Sequence, residues 1–198
     1  MTASGLPPGI AEKLAVLYQE MEAGYDEAAT KMGLICQGCP DNCCDSYFLH
    51  HTHIEWAYLW RGLATLTPAL LEMVVERARI CLNHYREVIE AGAWPKIMCP
   101  LNQDGLCILY LYRPMICRCH GVPARLRRPD GKILHFPGCF RCQELAIQPG
   151  LATEMDRTSL FRRLARLEEE FLGERFRLLP KTKMTLAAML VAGPPELA

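Results

Sequence analysis

Cys36-Gln37-Gly38-Cys39-Pro40-Asp41-Asn42-Cys43-Cys44 places four thiols in nine residues, a density that ordinary core packing does not call for. Six more follow in a second block: Cys99, Cys107, Cys117, Cys119, Cys139 and Cys142. The first block has the spacing C-x2-C-x3-C-C. The second reads C-x7-C-x9-C-x-C and closes with C-x2-C. Chains present several thiolates to a metal from turns in this way. The expectation is a mainly α fold, with helices packed around a cysteine-rich, metal-stapled irregular centre and one small β-hairpin.

The chain has 198 residues, 51% hydrophobic and 22% charged, which is enough for an ordinary core without metal. One domain over 1–198 is expected, with residues 34–142 as the cysteine-cluster core, flanking helices at 8–33 and 151–179, and a tail at 193–198. The formal charge is zero, so no global attraction to nucleic acid or to an anionic membrane is implied. No run of about 18 apolar residues occurs, and the first eight residues lack the pattern of a secretory signal. A cytoplasmic location and no membrane partner are therefore expected. In a reducing compartment the 11 cysteines favour metal or redox chemistry over structural disulfides.

Ile10, Leu14, Leu17, Met21, Tyr25, Ala28 and Met32 recur at spacings of three and four, which predicts an amphipathic helix stopped by Gly33. It delivers the chain into Cys36, and Gly38 and Pro40 predict tight turns within the cluster. Thr52-His53-Ile54-Glu55 fits a capping box that opens a helix to about Leu63. His50, His51 and His53 are possible ligands there, but they equally suit a polar entry turn. Thr67-Pro68 opens another helix, whose apolar stripe is Leu71, Val74, Ala78, Cys81, Tyr85 and Val88, with Gly92 and Pro95 beyond its end. Cys81 has no thiol near it in sequence and is read as core.

The second block contains Cys99-Pro100-Leu101, Gly105-Leu106-Cys107-Ile108-Leu109-Tyr110 and Arg113-Pro114-Met115-Ile116-Cys117-Arg118. With the first block, these elements resemble the YkgJ-type cysteine-cluster family, described as zinc- or iron-chelating, over roughly residues 34 to 121. The resemblance implies metal binding through Cys36, Cys39, Cys43 or Cys44, Cys99, Cys107 and Cys117, with no settled activity. A related cysteine-rich element accompanies a flagellin lysine methylase with an iron-sulfur cluster. This chain is too short to add that enzyme's domain and has no Gly-rich nucleotide loop. Cys119, Cys139 and Cys142 lie beside the matched pattern.

Arg125–Arg128 and Lys132–Phe136 flank Pro129-Asp130-Gly131 and predict a hairpin that returns the chain to Cys139 and Cys142. From Arg113 to Arg141 there are seven Lys or Arg and one acid, Asp130. Such a stretch suits an anionic thiolate centre, or else a solvated face; without an aromatic platform it argues against nucleic acid. Later, Leu160, Leu164, Leu167 and Phe171 predict a helix with Glu168, Glu169 and Glu170 on its polar remainder. Gly173 perturbs it and Pro180 ends it. Thr185 is expected to cap a short packing segment running to Val191.

Ten thiols outside Cys81 serve two four-thiolate centres, or one centre with spare cysteines. In an extended segment Cys43 and Cys44 point to opposite sides, so they do not ligate one ion alike. An iron-sulfur cluster, [4Fe-4S] favoured, is the expected cofactor and Zn2+ the alternative. No catalytic set is evident: His120 beside Cys119 is adjacency only. The redox or protein partner is open.

Overall fold

The computed structural model describes residues 5–36, 43–147 and 153–197. Cys39 and the turns expected around it at Gly38 and Pro40 lie outside the described residues, as do residues 148–152. The structure is mainly helical with two small sheets. No described helix is long and apolar enough to cross a membrane. The chain divides into two compact units, and the division falls between Cys43 and Cys44.

One unit takes the residues up to Ala11, Cys44–Pro114 and everything from Glu168 onward. Its main helices are α2 (His53–Leu63), α3 (Pro68–Glu90) and the short α7 (Leu186–Ala192). The α3 stripe buries Val74, Ala78, Cys81 and Tyr85. These meet Leu59 and Leu63 of α2, Leu101, Leu109, and Ala187, Met189 and Leu190 of α7. Thr67 accepts the Leu70 N–H at the start of α3, with Pro68 in the first turn. At the other end Gly92 takes φ 73°. Its N–H bonds the Ile89 carbonyl, and the Ala93 N–H reaches back to Val88, the paired bonds of a Schellman stop.

Thr185 accepts the Ala188 N–H and caps α7 as expected. Two indoles fasten its far end. Trp56 and Trp60, one turn apart on α2, both donate from Nε1 to the Met189 carbonyl, at 3.2 and 3.0 Å, and Trp56 also donates to Gly193 at 2.8 Å. Carbonyls left without helical partners at a C-terminus are thus satisfied by side chains.

The N-terminus of α2 departs from the capping-box expectation. Thr52 makes no cap bond; its hydroxyl donates to Glu55 at 2.7 Å. The backbone N–H groups of His53 and Ile54 donate instead to the two oxygens of Glu168, each at 2.8 Å. Glu168 is therefore not on the polar remainder of its helix: it is buried, one turn after Leu164 on the inward face. A carboxylate suits a helix N-terminus, where bare N–H groups and the dipole both favour negative charge.

The other unit comprises Glu12–Cys43 and Met115–Leu167. Most of α1 (Pro8–Met32) belongs to it, with α4 (Met115–Cys119), α5 (Phe140–Ala146) and the first part of α6 (Thr158–Leu172). Leu14, Leu17, Met21, Ala28 and Met32 of α1 are buried as the periodicity predicts. Gly33, at φ 66°, makes the same paired stop as Gly92: its N–H bonds Thr30, and the Leu34 N–H bonds Ala29.

Two strands of this unit, β3 (Ala124–Arg127) and β4 (Ile133–Phe136), form the expected hairpin, with Ala124 opposite Phe136 and Arg127 opposite Ile133. Its turn is closed by Gly131 at φ 84°. The one-hairpin expectation undercounts the sheets. β5 (Met155–Asp156) adds a parallel partner to β3. In the first unit β1 (Asn102–Gln103) and β2 (Leu106–Cys107) form a second, two-residue ladder around Asp104-Gly105. Both turn residues have positive φ, 52° and 86°, as a tight two-residue hairpin requires.

Candidate functional site

No disulfide joins the described cysteines. Their thiols fall into two groups that follow the two units.

In the first unit, Cys44 sits in a 3-10 turn, Cys43–Asp45, so the segment is not extended as expected. Successive residues of such a turn still point about 120° apart. The Cys99 N–H donates to the Cys44 carbonyl at 2.9 Å, and the Asn102 N–H donates to the Cys99 carbonyl at 2.9 Å. Asn102 is in turn the register partner of Cys107. Backbone pairing thus gathers the chain at Cys44, Cys99 and Cys107. Burial pushes the Cys99 thiol up to about 12, with the Leu101 N–H opposing by donating to its sulfur and the Cys107, Cys44 and Cys81 thiols adding to the rise. An amide two residues on that donates to a cysteine sulfur is the kind of outer support that tunes metal-bound thiolates.

In the second unit, Tyr25 lies at the middle. Its hydroxyl is 3.3 Å from the Cys36 sulfur. Gly121, at φ +126°, leaves room for it: a Cβ there would stand 2.5 Å from that oxygen. Burial first, then the Cys36 hydrogen bond and the Cys36, Cys43 and Cys139 charges, hold the Tyr25 hydroxyl far above its ordinary range. The Cys139 N–H donates to Gly121 at 3.0 Å, which brings the end of the hairpin back as expected. Cys142 is fully buried, with its sulfur 3.5 Å from that of Met32. Burial, then Cys139 and Cys36, raises its thiol to about 11. Cys36, Cys43 and Cys139 therefore lie around Tyr25, and Cys142 lies near Cys139 and Cys36, although these thiols come from the first block and the last.

Cys117 and Cys119 share α4, two positions apart and so roughly on opposite sides of the helix. Cys119 is buried beside Arg157, whose guanidinium is pulled down by burial and supported by that thiol. Three residues of the basic stretch are paired with carboxylates. Arg118 is buried, pairs with Glu22 and stacks 4.1 Å over Tyr18. Arg125 pairs with Asp156 at 3.1 Å and Arg128 with Asp130 at 3.2 Å. Except for Asp130, these acids come from outside the stretch.

His50, His51 and His53 are tied into the first unit by hydrogen bonds to Glu168, Thr182 and Met184. His53 Nδ1 lies 3.0 Å from Glu168 and its Nε2 3.2 Å from the Thr182 hydroxyl. His51 Nδ1 meets the Thr182 carbonyl at 3.3 Å, and His50 exchanges both backbone hydrogen bonds with Met184. Burial, with His51 nearby, lowers His50 to about 4.

The donors near one another are sulfur throughout, which fits a thiophilic ion or an iron-sulfur cluster in kind. Among the described residues no three His, Cys, Asp or Glu side chains converge closely enough to hold a metal ion. Cys39, the remaining thiol of the first block, lies outside them. Comparison with protein-family models, with curated proteins and with solved structures gave no match to this chain.

Proposed function

We propose that this chain is a metal-thiolate protein that binds an iron-sulfur cluster, [4Fe-4S] favoured, for electron transfer, sensing or an associated reaction. The observation that carries the reading is that thiols distant in sequence are brought into the same neighbourhood: Cys36, Cys43 and Cys139 around Tyr25, with Cys142 near Cys36 and Cys139, in one unit, and Cys44, Cys99 and Cys107 along paired backbone in the other. Thiols collected only as small apolar side chains have no reason to gather with one another, or to carry an amide donor as Cys99 does. The motif resemblance to the YkgJ-type family supports the same chemistry.

Cys36, Cys39, Cys43, Cys139 and Cys142 are the residues that would hold metal in one unit, and Cys44, Cys99 and Cys107 in the other. Once bound, a cluster supplies one-electron chemistry. The chain's part is to bury Cys142, to half-bury Cys99, to donate the Leu101 amide to the Cys99 sulfur and to place the Tyr25 hydroxyl against Cys36. Cys117 and Cys119, on opposite sides of α4, do not belong together on one ion. Anaerobic purification with quantification of iron, sulfide and zinc tests the reading. A brown protein with matched iron and sulfide is expected. A colourless protein with stoichiometric zinc would instead establish a zinc-stapled interaction module, and folded protein free of metal would end the metal-thiolate reading.

A further inference from the structure

Cys139 and Cys142 stand one helical turn apart in the second unit. The Gln143 N–H donates to the Cys139 carbonyl at 3.0 Å, so Cys139 is the residue from which α5 starts and Cys142 is the third residue of the helix. Three helical steps separate two Cα atoms by about 5 Å, inside the range of about 4.4–6.8 Å that a disulfide spans. A side chain at the starting position folds over the third residue, which is how capping oxygens reach its N–H. The two sulfurs differ in access. Cys142 is fully buried, its sulfur against that of Met32 at 3.5 Å, whereas Cys139 is half-buried and the intervening Phe140 and Arg141 are exposed. The entry to the turn is braced. The Gln143 side-chain amide donates to the Gly138 carbonyl at 3.1 Å, and the Cys139 N–H holds Gly121. A Cβ on Gly138, which sits at φ 80°, would stand 2.5 Å from the Gly121 oxygen and 2.9 Å from the Val122 carbonyl carbon, so this close backbone approach needs glycine. Cys139 is thus held in place before any partner arrives.

We propose that Cys139 and Cys142 form a thiol–disulfide exchange pair whose co-substrate is a low-molecular-weight disulfide, with Cys139 as the thiol that meets it and Cys142 as the thiol that resolves the intermediate. In the first step the Cys139 sulfur, having lost its proton to solvent, attacks one sulfur of the co-substrate. The S–S bond of the co-substrate breaks, one half leaves as thiolate, and the other half stays on Cys139 as a mixed disulfide. The Cys142 sulfur, losing its own proton, then attacks the Cys139 sulfur and releases the second half. Two protein thiols are oxidised to one disulfide, the co-substrate is reduced to two thiols, and the two protons end on the departing sulfurs. This goes beyond the metal-thiolate reading and concerns the chain free of metal, because a disulfide offers no thiolate to an ion and the pair serves one state at a time.

Trypsin cuts after Lys132, Arg141 and Arg157, so Cys139 and Cys142 fall on separate peptides, 133–141 and 142–157, each with a single cysteine. The whole chain, stripped of metal under reducing conditions, is equilibrated in buffers of increasing oxidised-to-reduced glutathione ratio. Remaining thiols are blocked with N-ethylmaleimide in denaturant, and the unreduced digest is read by mass spectrometry. A cross-link between the two peptides is expected, rising with the oxidised share and lost on reduction. In Cys142→Ser, glutathione is expected to stay on peptide 133–141 as a mixed disulfide, and in Cys139→Ser peptide 142–157 is expected to stay free of it. Pairing of Cys139 or Cys142 with Cys36 or another cysteine in place of each other, or two thiols that stay reduced across the series, overturns the inference. Glutathione retained on Cys142 rather than Cys139 overturns the assigned order. The metal content of the untreated protein scores the metal-thiolate reading separately: a chain that carries no metal yet forms the cross-link ends that reading and keeps the inference.

Discussion

Replacing Glu168 tests whether a carboxylate 115 residues away opens α2. Its two oxygens accept three hydrogen bonds, from the His53 and Ile54 amides at 2.8 Å each and from His53 Nδ1 at 3.0 Å. Glu168→Ala leaves two buried backbone N–H groups without an acceptor. At about 1–3 kcal/mol for each orphaned donor, the loss is about 2–6 kcal/mol, with some tenths more from the helix dipole. Glu168→Gln keeps one acceptor and sets an amide NH2 against a backbone N–H, so about 1.5–3 kcal/mol is expected. The assay is urea unfolding followed by tryptophan fluorescence, because Trp56, Trp60 and Trp94 all belong to the first unit. The reference is the exposed neighbour Glu169→Ala, expected within about 0.5 kcal/mol of wild type. Thr52→Ala should also cost less than Glu168→Gln, since the Thr52 hydroxyl does not cap the helix. If Glu168→Ala unfolds at the same urea concentration as Glu169→Ala, the reasoning fails.

Two further outcomes follow from the first unit. Gly62→Ala would place a Cβ 2.4 Å from the Tyr112 ring, so despite the roughly 1 kcal/mol that alanine gains in a helix the variant should lose about 1–3 kcal/mol, read by the same fluorescence assay. His50 is buried with Nδ1 unpartnered and titrates at about 4 rather than 6.5. The unfolded chain therefore takes up the proton first as pH falls. Stability should drop between pH 6.5 and about 4, by about 3 kcal/mol across the window. The pH dependence of the wild type minus that of His50→Leu isolates this contribution, and equal slopes for the two proteins would contradict the assignment.

The helices were legible because their signals are local. Gly33 and Gly92 mark stops that need positive φ, Thr67-Pro68 and Thr185 mark starts, and the apolar stripes of α1 and α3 are the buried ones. The Asp104-Gly105 turn was also readable, as a dipeptide that favours φ > 0 at both positions, although only the Pro129-Asp130-Gly131 turn was assigned to a hairpin. What escaped the sequence depends on partners far along the chain. Glu168 looks like one of three solvated acids until its spacing of four from Leu164 is followed inward. The basic stretch looks uncompensated because Glu22 and Asp156 lie outside it. At the candidate site, the grouping of Cys36 with Cys139 and Cys142 could not be read from spacing, since more than a hundred residues intervene. Cys43 and Cys44 were read as opposed across an extended segment, whereas they sit on a 3-10 turn, because the local backbone geometry is not fixed by adjacency alone.

The first unit is assembled from stretches that leave the ribosome at widely separated times. Glu168, which completes the start of α2, and α7, which the two indoles hold, are translated after the whole of the intervening unit. During synthesis α2 and α3 must therefore wait with their apolar faces uncovered and the His53 and Ile54 amides open to water. A stalled or prematurely ended chain would expose that surface to chaperones and proteases, even though every cysteine had already been made.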